Sequence, residues 1–388
     1  MNITAFDVSI ERCPAYQQDS VKKAIASSAE KAGFPSILGK TILVKPNILN
    51  ASTPETAVTT HPVFLAAVLR FLQEKGAGRI IVGDSPGFQP GSSAGKTAGL
   101  YQVALEMNAE WDEFKQGSLH QAPEGRLVKS FVLADVLKNC DMVVNLPKLK
   151  THRLMNYTGA IKNLFGLIPG LAKSAMHLRY PDKEQFGTML VDLALSVVPT
   201  FTFMDAIIAM EGEGPGNGTP YPLGLVLASA SMPLIDWTAA SIIGYKPEKI
   251  PYLADAMRRI GKNQERPDYS CGPERVQDVH VENFKLLPYE IAHPSALKAL
   301  PSFLQKLVVS TTMRRPIFHE KKCIGCSACV KICPGKALVL DKKVSGIHKI
   351  LIDDAACITC FCCHEVCPVN AISAGKVLYR PRGDRKLP

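Results

Sequence analysis

The sequence predicts an α/β fold with a mostly parallel sheet and helices on both of its faces, followed by a small, cysteine-rich α+β domain. Two observations lead to this prediction. Segments rich in β-branched residues alternate with amphipathic segments over the first 300 residues, as they do in parallel sheets with crossover helices. Nine of the twelve cysteines then fall between Cys323 and Cys367. We therefore expect an α/β domain over residues 1–310 and a second domain with a basic tail over 311–388.

The strand predictions rest on short apolar runs bounded by Gly, Pro or Asn. Six such runs alternate with the helical segments: ITAFDVSI, TILVKPNIL, RIIVGDS, MVVNLPK, FTFMDAII and LGLVLASA. RVQDVHVENFKLL, residues 275–287, is predicted to be a further strand.

The helix predictions rest on apolar residues spaced three and four apart. SVKKAIASSAEKAG, HPVFLAAVLRFLQEKG and PLIDWTAASIIG have this spacing. In the second of these, Thr60 is the expected N-cap, Pro62 lies in the first turn and Gly76 ends the helix. LPSFLQKLVVSTTMRRP is predicted to be a helix that leads into the cysteine-rich domain.

Composition and charge restrict the classes of function. Hydrophobic residues make up 46% and charged residues 21% of the 388 residues, as in soluble globular proteins. We expect no membrane span, since no apolar run reaches the ~18 residues required, and no signal peptide, which together favour the cytoplasm. The net charge of +10 raises nucleic-acid binding as an alternative. No basic stripe with interleaved aromatic residues accompanies it, so we expect no nucleic-acid partner.

The C-terminal region contains two copies of one cysteine pattern. CIGCSACVKICP and CITCFCCHEVCP start 34 residues apart, and both read C-x2-C-x2-C-x3-C-P. Three thiolates at every third residue can surround one face of an iron–sulfur cube, whereas the fourth cysteine of each run ligates the other cluster. The spacing therefore predicts two ligand sets, Cys323, Cys326, Cys329 and Cys367 for one cluster and Cys357, Cys360, Cys363 and Cys333 for the other.

A zinc site and a disulfide scaffold are the alternatives for these cysteines. The lack of a secretion signal disfavours disulfides, and zinc sites usually show CxxC pairs with longer spacers. Cys362 aligns with Ala328 and is predicted not to be a ligand. Residues 316 to about 375 resemble the bacterial two-cluster ferredoxins. This resemblance implies an α+β ferredoxin-like domain with two [4Fe-4S] clusters that each cycle one electron, and ALVLD and HKILID are predicted to form its hairpin.

Polar residues together with Gly or Pro follow four of the predicted strands. Lys45-Pro46-Asn47 follows TILV, GDSPG follows RIIV, and NLPK follows MVV. Asp205 follows FTFM and precedes EGEGPGNG at 211–218. Ligands bind outside the carboxyl ends of the strands in sheets of this type. The sequence therefore predicts a binding site at this edge of the sheet.

The segment NLPKLKTHRLMNYTGAIKNLFG, residues 145–166, supplies most of the cations of this predicted site. In an extended chain Lys148, Lys150 and His152 point to one face, because side chains alternate. Lys162 and Asn163 follow in a predicted short helix, and a solvated basic face is the alternative interpretation. Converging cations are tolerated only around an anion or beside carboxylates. The candidate carboxylates are Asp84, Asp205, Glu211 and Asp236, of which Asp236 is more typical of a helix cap.

Two glycine-rich segments fail the requirements of nucleotide sites. GSSAGKT at 91–97 has Pro90 where a phosphate-binding loop requires glycine. GEGPGNG contains no G-x-G-x-x-G run that opens a helix. The isolated Cys13, Cys140 and Cys271 are predicted to be ordinary buried thiols.

Several motifs occur in a fixed order before the cysteine repeat: KPNIL, TTHP, GDSPG, NLPKLKTH, GAIKNLFGLIPG and MEGEGPGNGTP. In this order, from residue 38 to about 375, the chain resembles the family called domain of unknown function 362. The resemblance implies the two-part architecture and an iron–sulfur cluster-binding protein of a kind found in bacteria and archaea, often anaerobes. It implies no substrate.

Two functional hypotheses follow. In the first, two [4Fe-4S] clusters pass electrons to or from an anionic small molecule at the strand C-termini, as in an iron–sulfur oxidoreductase. The predicted catalytic residues are Lys148, Lys162, His152 and Glu211, with either of the last two as proton donor. The predicted substrate-binding residues are Lys45, Asn47, Asp84, Asn145, Lys150 and Asn163. In the second, the chain is a non-enzymatic ferredoxin-type electron carrier, or a cofactor or cluster assembly factor, whose α/β domain binds a protein partner. Both hypotheses require a protein that donates or accepts electrons.

Overall fold

The computed structural model describes residues 6–376 with gaps at 88, 198, 266, 290–300, 302–313 and 343–347. The chain forms two compact units. Residues 1–170 and 187–287 form the first, called here the α/β unit, and residues 171–186 and 288–388 form the second, called the cysteine unit. The predicted helix at 300–316 lies almost wholly outside the described residues, as does the basic tail.

The strands of the α/β unit include all six predicted ones and several short additions. They are β1 (Val8–Arg12), β2 (Thr41–Pro46), β3 (Arg79–Gly83), β4 (Glu110–Asp112), β5 (Gly117–Gln121), β6 (Ser130–Ala134), β7 (Met142–Leu146), β8 (Lys148–His152), β9 (Asn156–Thr158), β10 (Thr200–Glu211), β11 (Thr219–Ser229) and β12 (Cys271–Pro273).

The helices over residues 18–279 include the three predicted ones. They are α1 (Gln18–Lys31), α2 (Pro62–Glu74), α3 (Gly91–Thr97), α4 (Leu100–Glu106), α5 (Ala160–Asn163), α6 (Ala172–Arg179), α7 (Lys183–Ser196), α8 (Met232–Ile242), α9 (Pro251–Arg259) and α10 (Val276–Val279). Of these, α6 and the first turn of α7 belong to the cysteine unit. Short 3-10 turns occur at Pro54–Thr56, Asp135–Asn139, Leu164–Leu167 and Pro247–Lys249.

The central sheet has the order β12-β1-β11-β10-β7-β2-β3-β4. Its pairs are parallel from β10 through β7, β2 and β3 to β4, whereas β11 is antiparallel to both of its neighbours. The long strand β10 pairs first with β7 and then with β8, so β7 and β8 follow one another along the same partner. The predicted class, a mostly parallel sheet with helices, is confirmed.

Alternating residues of the sheet face two separate helical layers. Ile42, Val44 and Phe203 join the apolar core formed with α1, α2 and α4. The intervening Leu43 and Val143 are buried on the opposite face, and α8 packs beside β10, β11 and β1. Burial on both faces explains why these strands are continuous apolar runs.

Two local predictions require correction. The N-cap of α2 is His61, whose Nδ1 accepts a hydrogen bond from Val63 N, because the Thr60 hydroxyl is engaged with Leu146 O and Asn47 N. Residues 275–287 are not a strand. They contain α10, and the backbone beyond it makes isolated bonds such as that from Val281 N to Ile242 O. The glycine-rich segment at 91–97, which was not predicted to be a phosphate-binding loop, forms α3, and its Ser92 N–H donates to Glu113.

The cysteine unit contains two antiparallel strand pairs and two short helices beside the cysteine runs. β13 (Arg314–Phe318) pairs antiparallel with β16 (Ile372–Lys376), and β14 (Leu338–Lys342) pairs with β15 (His348–Ile352) as predicted. The helices are α11 (Ala328–Ile332) and α12 (Cys362–Glu365), and Glu320–Lys322 forms a 3-10 turn. The predicted small α+β domain is therefore present.

Candidate functional site

Lys45 lies at the end of β2 and is neutralised inside the protein. Its Nζ lies 2.8 Å from Asp84 Oδ1, and the two side chains are 1% and 2% exposed. The ammonium also donates to Pro46 O at 2.7 Å and to Asn163 Oδ1 at 3.3 Å. Burial lowers the pKa of Lys45, the Asp84 carboxylate raises it, and the charge of the nearby Lys162 lowers it further. The strand end therefore holds a compensated charge pair.

Amide side chains extend this pair into a network across three elements. Asn163 Nδ2 donates to Asn145 Oδ1 at 2.8 Å, and Asn145 Nδ2 donates to Ala160 O at 2.9 Å. Gly166, in the 3-10 turn after α5, lies against the pair of Lys45 and Asp84. A Cβ at this position would lie 2.2 Å from Asp84 Oδ1 and 2.7 Å from Lys45 Nζ, so only glycine fits here. Of the predicted binding residues, the structure brings Lys45, Asp84, Asn145 and Asn163 together.

Lys148 forms a second buried pair, with Asp205. The two residues are direct cross-strand partners in β8 and β10, and Lys148 Nζ lies 3.0 Å from Asp205 Oδ2, with side-chain exposures of 1% and 0%. Lys148 also donates to the Tyr16 hydroxyl at 2.6 Å, and that hydroxyl donates to Asp205 Oδ1 at 2.7 Å. The backbone N–H of His61 donates to Asp205 Oδ2 at 3.0 Å. Asp205 therefore joins β8, β10, the loop after β1 and the start of α2.

Sequence reasoning did not identify Tyr16 and His61 as parts of this network. Their rings stack with centroids 3.6 Å apart and an interplanar angle of 7°. Burial lowers the pKa of His61, although Asp205 opposes the shift, and burial raises the pKa of Tyr16. The TTHP motif could have drawn attention to His61, because it precedes a predicted helix. Tyr16 lies in a short loop without any distinguishing pattern.

Lys150 and His152, the other two predicted site residues of β8, have different partners. Lys150 Nζ donates to Asn47 Oδ1 and to Val58 O, each at 2.7 Å. His152 is fully buried, and its Nδ1 accepts from Leu154 N at 3.1 Å and Met155 N at 3.3 Å. Lys150 thus reaches the chain after β2, whereas His152 organises the turn that follows its own strand.

Glu211 ends β10 away from the lysine pairs. Its Oε2 accepts from Lys285 N at 2.8 Å, and its Oε1 lies 3.4 Å from Lys285 Nζ. The loop that follows lies directly on β8, because a Cβ at Gly214 would lie 2.2 Å from Thr151 O. The backbone of the glycine-rich loop therefore packs directly against another segment of the protein, the strand β8.

Asp236 caps a helix to which it does not belong. It lies in α8, and its two carboxylate oxygens accept from Ala160 N at 2.6 Å and Ile161 N at 2.9 Å, at the start of α5. Tyr157 also donates to it at 3.2 Å. Burial raises the pKa of Asp236 to about 7, and these hydrogen bonds oppose that shift. This carboxylate fixes the position of the segment that carries Lys162.

Two cavities in the cysteine unit are lined by thiols. The first is lined by three cysteines of the first run and the last of the second: Cys323, Cys326, Cys329 and Cys367. The second is lined by the reverse set, Cys357, Cys360, Cys363 and Cys333, and in addition by Cys362. Among the described residues no three His, Cys, Asp or Glu side chains converge on a single ion position. The ligands of an iron–sulfur cube bind separate iron atoms and do not need to converge in this way.

Comparison with known families assigns both parts of the chain. The DUF362 family, described as a domain of unknown function, matches residues 42–241, which is more than half of the chain. A 4Fe-4S dicluster domain matches residues 322–371. The chain belongs to the DUF362 family. It therefore carries a 4Fe-4S ferredoxin-type domain behind its DUF362 domain, as predicted.

One curated relative of this DUF362 protein is the thylakoid-associated protein sll1697 of Synechocystis. The two are 30% identical over 300 residues, which cover 75% of this chain and 92% of the relative. A crystal structure of a protein from Thermotoga maritima is 13% identical, with a TM-score of 0.35, and the match covers 54% of this chain and about half, 55%, of that one. In the described parts of the chain, every helix is too short or too polar to cross a bilayer.

The residues of the dicluster domain fit iron–sulfur cubes. Backbone N–H groups donate to the fourth thiol of each run, from Ala337 to Cys333 at 3.3 Å and from Ala371 to Cys367 at 3.2 Å. Hydrogen bonds of this kind stabilise a cluster thiolate and tune its potential. Burial raises the pKa of Cys329 to about 11, so iron must displace a proton from this thiol when it binds.

Cys362 distinguishes the second cavity from the first. It is buried, lines the second cavity and shares a hydrogen bond with Cys360. At the equivalent position of the first cavity is Ala328. The second cavity of this DUF362 protein therefore contains a fifth thiol next to the four predicted ligands.

Proposed function

We propose that the chain is an iron–sulfur redox protein that holds one [4Fe-4S] cluster in each cavity. The observation that supports it is the composition of the two cavities, in each of which three predicted ligands come from one run and the fourth comes from the other. When bound, such clusters each carry one electron. We place the start of this domain near residue 311 and its activity in the cytoplasm.

The pairing of ligands provides a direct test of the two-cluster proposal. The anaerobically reconstituted chain should bind about eight iron atoms. Cys323→Ala and Cys367→Ala should each perturb the same signal in electron paramagnetic resonance spectra, and combining them should perturb no further signal. Combining Cys323→Ala with Cys333→Ala should perturb both signals. Cys13→Ala, outside the cysteine unit, serves as the control. Binding of about four iron atoms to the wild-type chain would contradict the proposal.

We propose further that the clusters exchange electrons with an anionic small molecule bound at the strand ends of the α/β unit. The cations gathered there support this, and so does the half-buried position of Lys162, whose charge acts on Lys45. In this proposal Lys162 binds the anion, and the buried pairs of Lys45 and Lys148 hold the strand ends around it. Lys150, on the strand that carries Lys148, donates to Asn47, which follows the strand that carries Lys45.

A reduction at this site also requires a proton donor, for which we propose Glu211 or His152. Both side chains are buried, and Glu211 differs from His152 in lying 3.4 Å from a side chain, that of Lys285, that is 73% exposed. Glu211→Gln should then lower turnover more than it lowers substrate affinity.

Anion titration tests the substrate site. The reduced anaerobic protein would be titrated with inorganic phosphate and with succinate, and the visible spectrum of the clusters recorded. Lys162→Ala should abolish any response, and Lys148→Ala combined with Lys162→Ala should do so while the clusters remain. Lys22→Ala, an exposed lysine paired with Glu74 on α1, is the control and should leave the response unchanged. A full response in the double variant would refute the site.

One observation favours the alternative, a non-enzymatic electron carrier or assembly factor. Asp84 and Asp205 already neutralise Lys45 and Lys148, so neither buried lysine requires an external anion. If no anion changes the cluster spectra while a protein partner accelerates electron exchange, the carrier function is correct.

A further inference from the structure

The two cysteine runs have the same backbone framework, so differences between them lie in their side chains. Ser327 and Phe361 occupy equivalent positions, both in the left-handed conformation with φ 61°, and each begins a short helix. Ala337 N and Ala371 N make the equivalent hydrogen bonds to the fourth thiols. Each run can therefore serve as the reference for the other.

The loops that precede the two runs carry opposite charges. Residues 319–322 read His-Glu-Lys-Lys, whereas the equivalent residues 353–356 read Asp-Asp-Ala-Ala. Lys321 and Lys322 are exposed, and the acidic Glu320 between His319 and these lysines lies 3.6 Å from Lys349 Nζ. The first loop is thus positive.

The carboxylates of the second loop are already hydrogen-bonded or ion-paired within the unit. Asp353 accepts hydrogen bonds from Ala355 N at 2.9 Å and Ala356 N at 3.3 Å, and Asp354 lies 2.6 Å from Arg315. The two alanines replace the two lysines of the first loop. An acidic protein would be attracted to the first loop and would find no matching cation in the second loop.

The two runs also differ in the exposure of their side chains. In the first run Ile324 is 57% exposed and Cys326 is exposed. Their equivalents in the second run, Ile358 and Cys360, are half-buried, and Phe361 takes the place of Ser327 with 2% exposure. An exposed apolar side chain beside two ammonium groups, next to an exposed cluster ligand, suits a small and transient protein contact.

We propose that residues 319–326 form the docking surface for an acidic one-electron carrier protein, which exchanges electrons at the first cavity. This inference rests on the two-cluster function proposed above. Lys321 and Lys322 steer the carrier by its negative surface, and Ile324 makes the apolar contact. In the forward direction the carrier loses one electron and the group held by Cys326 gains one, with no bond or proton transferred.

Stopped-flow reduction by an acidic plant-type [2Fe-2S] ferredoxin tests the proposal. The double variant Lys321→Glu, Lys322→Glu should react at least about tenfold more slowly than wild type at low ionic strength, because electrostatic steering is lost. The difference should shrink at about 1 M salt, where screening acts within ~3 Å. Calorimetric titration with the oxidised ferredoxin should show a matching loss of binding.

Lys336→Glu provides the matched control. Lys336 is an exposed lysine between Pro334 and Ala337, which line the second cavity, so the variant makes the same type of charge change beside the other site. Its rate should equal that of wild type. Reduction by the methyl viologen radical cation should not be slowed in any variant, because this reagent has no negative surface.

The outcomes separate the docking proposal from the function on which it rests. If wild-type protein fails to assemble two clusters, the proposed function is wrong. If both clusters assemble but the double variant reacts at the wild-type rate, if Lys336→Glu slows the reaction equally, or if the acidic ferredoxin neither binds nor reduces the wild type, the docking surface is wrong.

Discussion

Replacing Lys148 with methionine distinguishes a lysine that holds the sheet edge together from one that awaits a substrate. In the wild type its ammonium lies 3.0 Å from Asp205 Oδ2 in a fully buried pair. Methionine has a similar volume but leaves the Asp205 carboxylate with neutral donors, the Tyr16 hydroxyl and the His61 N–H. Removing one partner of such a pair destabilises a protein by about 3–5 kcal/mol, because the other charge remains buried.

Urea unfolding measures this loss in the unit that contains the pair. The chain has two tryptophans, Trp111 and Trp237, and both lie in the α/β unit, so their fluorescence reports on its unfolding. With a denaturant slope of about 3 kcal/mol per M, a loss of 4 kcal/mol moves the midpoint by about 1.3 M. Lys22→Met, which removes an exposed lysine from a surface pair, should change stability by less than about 0.5 kcal/mol.

The double variant Lys148→Met, Asp205→Asn measures the coupling between the two residues. Removing both charges should cost less than the sum of the single variants by about 2 kcal/mol or more. A midpoint shift below about 0.3 M for Lys148→Met, or strict additivity, would refute the structural role of the pair and favour direct contact between Lys148 and a substrate.

Four further predictions concern other parts of the chain. Asp236 has a folded-state pKa of about 7 against an ordinary 3.8, so the folded state holds a proton that the unfolded state has lost, and stability falls as pH rises through this window. Urea midpoints should therefore show the stability of Asp236→Asn rising relative to that of wild type between about pH 4 and pH 7, by up to about 1.4 kcal/mol per pH unit, and a constant difference would contradict this. Gly166→Ala should lower the free energy of unfolding by more than about 3 kcal/mol by displacing the lysine–aspartate pair that it touches, whereas Gly170→Ala, in open space at φ +50°, should cost about 1–2 kcal/mol. Cys360→Ala should keep more of its cluster than Cys326→Ala by iron analysis, since only the second cavity has a spare thiol, and equal losses would show that this thiol does not substitute. Removing iron with a chelator should abolish the circular dichroism of the cysteine unit before tryptophan fluorescence changes, because two of the five buried residues in its core are cluster cysteines, and simultaneous loss would contradict this.

The sequence was informative where one local signal dominates. β2, β3 and β7 are short apolar runs rich in β-branched residues, and all three were predicted as strands. Residues 275–287 show a similar apolar alternation, but their N–H groups bond to separate partners such as Glu211, so no ladder forms. Tertiary contacts determine the structure of that segment, and no local sequence pattern indicates them.

The candidate site was predictable in its residue types but not in its pairings. The requirement for carboxylates beside Lys45 and Lys148 follows from Coulomb repulsion alone, and both Asp84 and Asp205 were candidates. Which carboxylate meets which lysine depends on strand order and register, because the partners are 39 and 57 residues apart. The cysteine sets were easier, because ligand spacing within each run restricts them.

The segment that carries the lysines depends on residues that are translated after it. Asp205 follows Lys148 by 57 residues, and Asp236 follows Ala160 by 76. At about 5–20 residues per second, a ribosome leaves Lys148 without its counter-charge for about 3–11 s. A nascent chain that stalls before Asp236 emerges would expose the cationic strand β8 next to an uncapped α5. We expect chaperones to bind at this exposed segment.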